Sequence, residues 1–261
     1  MSRASSHALK HPPVMAPSEP AGAISPFPEL AVAIERERRR GRGAQSNASG
    51  RFEAEARVAF DDGWQSLDEL PPFKTTVALD TARKVITRND SPDIGFDRSI
   101  NPYRGCEHGC VYCFARPTHA FLGLSPGLDF ESKLFAKPDA PALLEKELAT
   151  PDYEPRMIAI GTNTDPYQPI ERDRKIMRGI LEVLERAGHP VGIVTKSALV
   201  TRDIDILARM AKRNLAKVGI SVTSLDPKLA RTMEPRATTP TKRLEALRQL
   251  TEAGVPTTVM V

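Results

Sequence analysis

From about residue 97 onward, short β-branched runs alternate with amphipathic stretches of helical period, and this alternation limits the fold more than any other feature. The runs RMIAIGT (156–162), PVGIVTKS (190–197), AKVGISVTS (216–224) and VPTTVMV (255–261) read as parallel strands buried on both faces. Between the first two, ERDRKIMRGILEVLERAG places Ile176, Ile180, Val183 and Leu184 on one helical face and stops at Gly188. The next helix is expected to start at a Thr201 cap, with Ile204, Leu207, Ala208 and Met210 as its apolar side. A third, TPTKRLEALRQLTEAG, carries Leu244, Leu247 and Leu250 and ends at Gly254. Repeated strand–helix units predict an α/β fold with a parallel sheet and right-handed crossovers. A barrel and a doubly wound sheet both satisfy the pattern, and both put the functional site at the carboxyl ends of the strands.

All three cysteines of the chain fall within NPYRGCEHGCVYCFARP, residues 101–117, spaced C-x3-C-x2-C. The run FDRSINPYRG (96–105) reads as the first strand, so this loop would leave a carboxyl end. Three thiolates on one loop can hold three corners of a [4Fe–4S] cluster and leave one iron open to a further ligand. Gly105 and Gly109 let the loop turn sharply and bring amides towards the sulfurs. The competing reading is a zinc site of Cys106, Cys110 and Cys113 with His108 or His119. It lacks the second, distant cysteine pair that zinc sites usually have. An odd cysteine count does not suit a disulfide framework. The chain shows no apolar leader and no run of 18 apolar residues, so the expected setting is the cytoplasm, with no membrane partner and reduced thiols.

The first 50 residues have a different character. Pro12, Pro13, Pro17, Pro20, Pro26 and Pro28 are separated by small and polar residues, a composition that cannot bury enough apolar surface to offset its ordering entropy. A disordered tail is expected over 1–50, an extension packed on the core over 51–95, and the core itself over 96–261. The tail ends in a basic block, Arg36, Arg38, Arg39, Arg40 and Arg42. That block reads either as an arm contacting phosphates or as a solvated linker. The net charge of +4 permits an anionic partner such as nucleic acid without requiring one.

Taken with IGTNTDPYQPIE (160–171), VTKS (194–197) and EPRATTPTKRLEAL (234–247), the cysteine loop resembles the radical S-adenosylmethionine (SAM) enzymes. Within them it is most similar to uncharacterised proteins related to spore photoproduct lyase and labelled DNA repair photolyase-like. The resemblance implies a partial, TIM-like (βα)6 barrel with a [4Fe–4S] cluster on Cys106, Cys110 and Cys113 and SAM on the open iron. It implies reductive cleavage of SAM to a 5′-deoxyadenosyl radical, hydrogen abstraction from an unknown substrate, and a reducing partner such as a flavodoxin or ferredoxin. Residue by residue, it assigns Tyr112 to the adenine and Asn163, Asp165, Lys196, Ser221 and Arg236 to the remainder of SAM. It assigns no catalytic residue. Each position also has a plainer reading: Tyr112 as a packed aromatic, Asp165-Pro166 as a turn, Lys196 and Arg236 as surface cations. Spore photoproduct lyase uses an additional cysteine as hydrogen donor, and here the corresponding stretch, IGTNTDP, has none. Five strands are counted where the family's barrel has six, so a core truncated after the fifth strand is expected. The alternatives are a non-catalytic iron–sulfur or zinc protein and an inactive fragment of such an enzyme.

Overall fold

The computed structural model describes residues 41–50 and 74–261. Strands β1 (Thr76–Leu79), β2 (Ile86–Arg88), β3 (Arg98–Ile100) and β4 (Tyr103–Arg104) come first. A 3-10 helix over Arg116–Leu122, α1 (Leu128–Ser132), β5 (Lys133–Ala136) and α2 (Ala140–Leu148) follow. The second half runs β6 (Ile158–Ile160), α3 (Glu171–Arg174), α4 (Ile176–Arg186), β7 (Val191–Thr195), a 3-10 helix over Ala198–Asp203 and α5 (Ile204–Ala211). It finishes with β8 (Ala216–Ser221), α6 (Pro227–Met233), α7 (Pro240–Glu252) and β9 (Thr257–Met260).

The main sheet has the order β2-β3-β6-β7-β8-β9. From β3 to β9 every neighbouring pair is parallel, while β2 runs antiparallel to β3 at one edge. Each parallel strand lies beside the one that precedes it in the chain. A doubly wound sheet would reverse this order partway, and this sheet does not. The described sheet does not close: β2 and β9 are its edges. Its core comes from inward residues such as Ile100, Ile158, Ile160, Ile193 and Val218, covered by Ile180, Leu184, Leu207, Met210 and Leu250 of the helices. A smaller sheet, β1-β5-β4, stands apart from the main one.

Several sequence expectations need correction. The run 96–105 is not one strand. Pro102 has no N–H to give a ladder, and the chain leaves the main sheet after Ile100 to enter the small sheet at Tyr103. The segment from Glu171 is two helices, broken at Lys175 in the left-handed region with φ 52°. The inward set of α4 does contain Ile176, Ile180, Val183 and Leu184. Thr201 is not a cap. It sits inside the 3-10 helix, which Ser197 caps by accepting from the Leu199 amide, and α5 itself starts after Asp203 with no side-chain cap. Leu244 is 45% exposed, whereas Arg243, Ala246, Leu247 and Leu250 form the buried stripe of α7. Residues 1–40, with Arg36, Arg38, Arg39 and Arg40, and residues 51–73 lie outside the described residues. Arg42 is buried, and residues 41–48 run across α1.

Candidate functional site

The cysteine loop begins directly after β4 and is tied down on every side. Cys106 N donates to Phe130 O at 2.9 Å, and Cys113 N closes a turn onto Cys110 O at 3.3 Å. The Gln168 amide side chain bridges its start, donating to Gly105 O at 3.1 Å and accepting from Glu107 N at 2.9 Å. Two main-chain bonds stitch the loop to a segment far along the sequence, Val111 N to Met233 O at 2.9 Å and Arg236 N to His108 O at 3.2 Å. Gly109 is required at its position: φ is 67°, and a Cβ there would stand 2.8 Å from Glu131 Oε2.

Cys106 and Cys110 are buried and Cys113 is half-buried. Burial, then the charge of Asp165, pushes the Cys106 thiol well above its ordinary value. Burial, then the charge of Glu234, pushes Cys110 up to about 12 against the opposing pull of Lys196. Such thiols stay protonated at neutral pH until a metal centre displaces their protons, which is the usual coupling of metal binding to proton release. Three thiols on one glycine-turned loop are the right donor set for a cubane cluster with an open iron. Among the described residues no three His, Cys, Asp or Glu side chains converge as ligands of a single ion. The two histidines of the zinc reading are placed differently. His108 Nδ1 lies 3.3 Å from Asp165 Oδ2 without the alignment of a hydrogen bond. His119 donates Nε2–H to Lys133 O at 2.9 Å and packs edge-on against Phe130. Burial lowers its pKa and keeps it neutral.

Lys196 follows β7, and its ammonium stands 5.7 Å over the Tyr112 ring and 3.6 Å from Glu234 Oε1. The same Glu234 oxygen accepts from the Tyr112 hydroxyl and, at 3.0 Å, from Thr223 Oγ1; the other oxygen pairs with Arg243. Burial alone would raise the Glu234 carboxyl. Hydrogen bonds from Tyr112 and Arg243, with the Arg243 charge, outweigh it and hold the group below its ordinary range. Arg243 also donates to Ser221 O at 2.8 Å, so the end of β8 joins the same network through its main chain. Glu234 and Arg243 form the buried pair that holds this cluster together, and the sequence reading passed over both. The available signal was an arginine on the apolar stripe of α7, since a guanidinium buried there needs a carboxylate partner.

Asp165 has a structural task. Its Oδ1 accepts from Thr195 Oγ1 at 2.7 Å and Tyr167 N at 2.9 Å, and its Oδ2 accepts from Lys196 N at 2.7 Å. It therefore fixes the backbone that carries Lys196. Asp165→Ala is expected to cost about 1–3 kcal/mol by stranding these buried donors, read by denaturant unfolding. Asn163 is half-buried after β6, its amide bonded to Asn101 Oδ1 at 3.1 Å. Arg236 sits on the rim, 3.3 Å from Glu107. Cys110, Tyr112 and Lys196 are thus brought together around Glu234, with Asp165 bonded to the Lys196 amide; Ser221 joins through Arg243 and Arg236 lies beside Glu107, while Asn163 is bonded to Asn101.

Comparison with known proteins gives this geometry its context. An uncharacterised protein of Mycobacterium tuberculosis (strain ATCC 25618 / H37Rv) is 40% identical over 166 residues, 64% of this chain and 49% of the relative. One of Methanocaldococcus jannaschii is 29% identical over 174 residues, 67% of this chain and 62% of the relative. The chain spans about half the length of the mycobacterial relatives it matches. A solved spore photoproduct lyase variant with bound AdoMet and dinucleoside spore photoproduct aligns with a TM-score of 0.49 and 20% identity, over 71% of this chain and 50% of that one. The model of the radical SAM superfamily matches residues 100–261, from the last residue of β3 through β9 and including all three cysteines. On that match the chain belongs to the radical SAM superfamily.

Proposed function

We propose that this chain is the SAM-cleaving core of a radical SAM enzyme, with Cys106, Cys110 and Cys113 holding a [4Fe–4S] cluster beside a SAM site on the carboxyl side of the sheet. When bound, cluster and SAM together supply reductive cleavage of the sulfonium C–S bond and hydrogen abstraction from the substrate. The observation that carries the reading is the convergence of the cysteine loop and its Tyr112 with Lys196, just past the end of β7, and Glu234, just past the end of α6. Lys196 supplies a point charge for a carboxylate, apt for the amino-acid end of SAM. Glu234 holds that ammonium against Tyr112, whose anchored ring offers a flat face for adenine. Ser221 and Asn163, at or just past strand ends, suit the polar parts of the same ligand, and Arg236 is the rim cation for a second anionic group. The five consecutive parallel strands suit the wall of a partial barrel. A flavodoxin- or ferredoxin-like protein is the reductant, and the net charge of +4 is compatible with an anionic substrate such as nucleic acid.

Anaerobic reconstitution with iron and sulfide tests this reading. It should give a brown protein with about four irons per chain, which forms 5′-deoxyadenosine from SAM under reducing conditions. Lys196→Ala should keep its iron and lose about 1.5–3 kcal/mol of SAM affinity, the range for a hydrogen bond to a charged group. One tightly held zinc and no sulfide in anaerobically purified protein would overturn the proposal. Unchanged SAM affinity in Lys196→Ala would remove that residue from the site.

A further inference from the structure

The cysteine loop is held in place by a stretch that reads, in sequence, as the end of a disordered tail. We propose that residues 41–48 are a strap that fixes this loop through Glu131, which makes Glu131 a positioning residue for the iron-binding cysteines. The part concerning iron rests on the function proposed above; the part concerning the loop stands without it.

Glu131 belongs to α1 and is fully buried. Its carboxylate accepts the amides of Gly43 at 2.9 Å and Ala44 at 2.8 Å, both in the strap. It also accepts from Arg116 Nη2 at 2.6 Å. That same Arg116 nitrogen donates to Cys110 O at 2.9 Å. A chain of charge-assisted bonds therefore runs from the strap, through a buried carboxylate and a guanidinium, to the main chain of the middle cysteine. A second connection starts at Arg42, which donates to Glu131 O and, at 3.0 Å, to Thr75 Oγ1. Thr75 donates in turn to Glu107, the residue after Cys106.

The fit depends on close backbone approach. A Cβ on Gly43 would lie 1.9 Å from Gly109 O, between Glu107 and Cys110 in the loop itself. The strap also replaces the N-cap that α1 lacks. Asn47 Oδ1 accepts from Asp129 N at 2.9 Å, and Ser46 O accepts from Leu128 N at 3.1 Å. These amides begin the helix that presents Glu131. None of this serves an unstructured arm, and all of it converges on the loop between Cys106 and Cys113.

The test uses the full chain. Amide hydrogen exchange is measured on the unloaded protein, and iron release to a ferrous chelator on the reconstituted one. Gly43→Ala forces the strap from Gly109. It should speed exchange of the Cys106, Val111 and Cys113 amides by about tenfold or more, a local opening, while β6 to β9 keep their protection. The loaded variant should lose iron faster by a similar factor. Glu131→Gln, which keeps the size and removes the charge facing Arg116, should shift both measurements in the same direction. Gln45→Ala, at an exposed strap position, should match the parent. Unchanged loop protection in both Gly43→Ala and Glu131→Gln would overturn the proposal, as would protection lost evenly across β6 to β9. Selective loosening of the loop in a protein that never takes up iron would support the strap and overturn the proposed function.

Discussion

Cys110→Ala is expected to abolish loading with iron and sulfide while the fold persists, and the same holds for Cys106→Ala and Cys113→Ala. The chain has no fourth cysteine that could substitute, and two thiolates do not hold a cubane with one open iron. The loop itself should survive because its ties run through the main chain. Val111 N to Met233 O, Arg236 N to His108 O and Arg116 to Cys110 O do not involve the cysteine sulfur. Truncating one small buried side chain costs on the order of 1 kcal/mol. Each variant should thus melt near the parent's unloaded temperature, yet reconstitute colourless and form no 5′-deoxyadenosine. Full iron uptake by any one of them would remove that cysteine from the ligand set.

Glu234→Leu should give the largest loss of stability of any single change at the site, about 3–5 kcal/mol, as expected when one partner of a buried ion pair is removed. The Arg243 side chain is 1% exposed and would keep only carbonyl partners, Thr238 O, Ser221 O and Val222 O. The hydroxyls of Tyr112 and Thr223 would lose their acceptor as well. Adding Arg243→Leu should recover part of the loss, because the two residues act as a unit. Denaturant unfolding of both singles and the double measures this, and strictly additive effects would show that the pair is not coupled. The pH dependence follows from the same network. Folded Glu234 gives up its proton at lower pH than unfolded Glu234 does. The stability it contributes is therefore complete above the unfolded value and drains away as pH falls through the folded one. Between neutral pH and strong acid the parent should lose more stability than Glu234→Leu.

The parts of the fold written in periodic apolar residues were legible from sequence. Strands β6, β7, β8 and β9 each lie within an expected run; β6 to β8 are covered on both faces and so leave a continuous β-branched signature, whereas β9, expected to be buried as well, is a mostly exposed edge strand. Strands β1 and β2 left none, since most of their side chains are exposed, and β4 is only two residues long. Pro102 marked the break after β3 and was overlooked within an otherwise strand-like run. On α7 the reading placed Leu247 and Leu250 in the buried stripe, where they are, and erred at one position. It chose the leucine at 244 over the arginine at 243, because burial of a charge becomes visible only with its partner, Glu234, nine positions away. The strap was illegible for a related reason. Its stabilising contacts are hydrogen bonds and glycine contacts to residues some eighty positions later, for example Gly43 to Glu131, with |i−j| of 88. No local pattern encodes them. The cysteine spacing, by contrast, is local and chemically restrictive.

The consecutive order of the parallel strands bears on how the chain acquires its structure during synthesis. Every strand of the main sheet after β3 finds its partner already present, so that sheet can grow by accretion, one strand–helix unit at a time, without waiting for a later segment to be inserted. The strap, α1 and the cysteine loop all precede residue 137 and can associate before β7 has been made. Glu234 and the Met233 and Arg236 main-chain ties arrive more than 120 residues after the loop they secure. Nascent chains arrested at increasing lengths should accordingly protect the loop from proteolysis in two stages, first partially and then fully once α6 and α7 have left the ribosome.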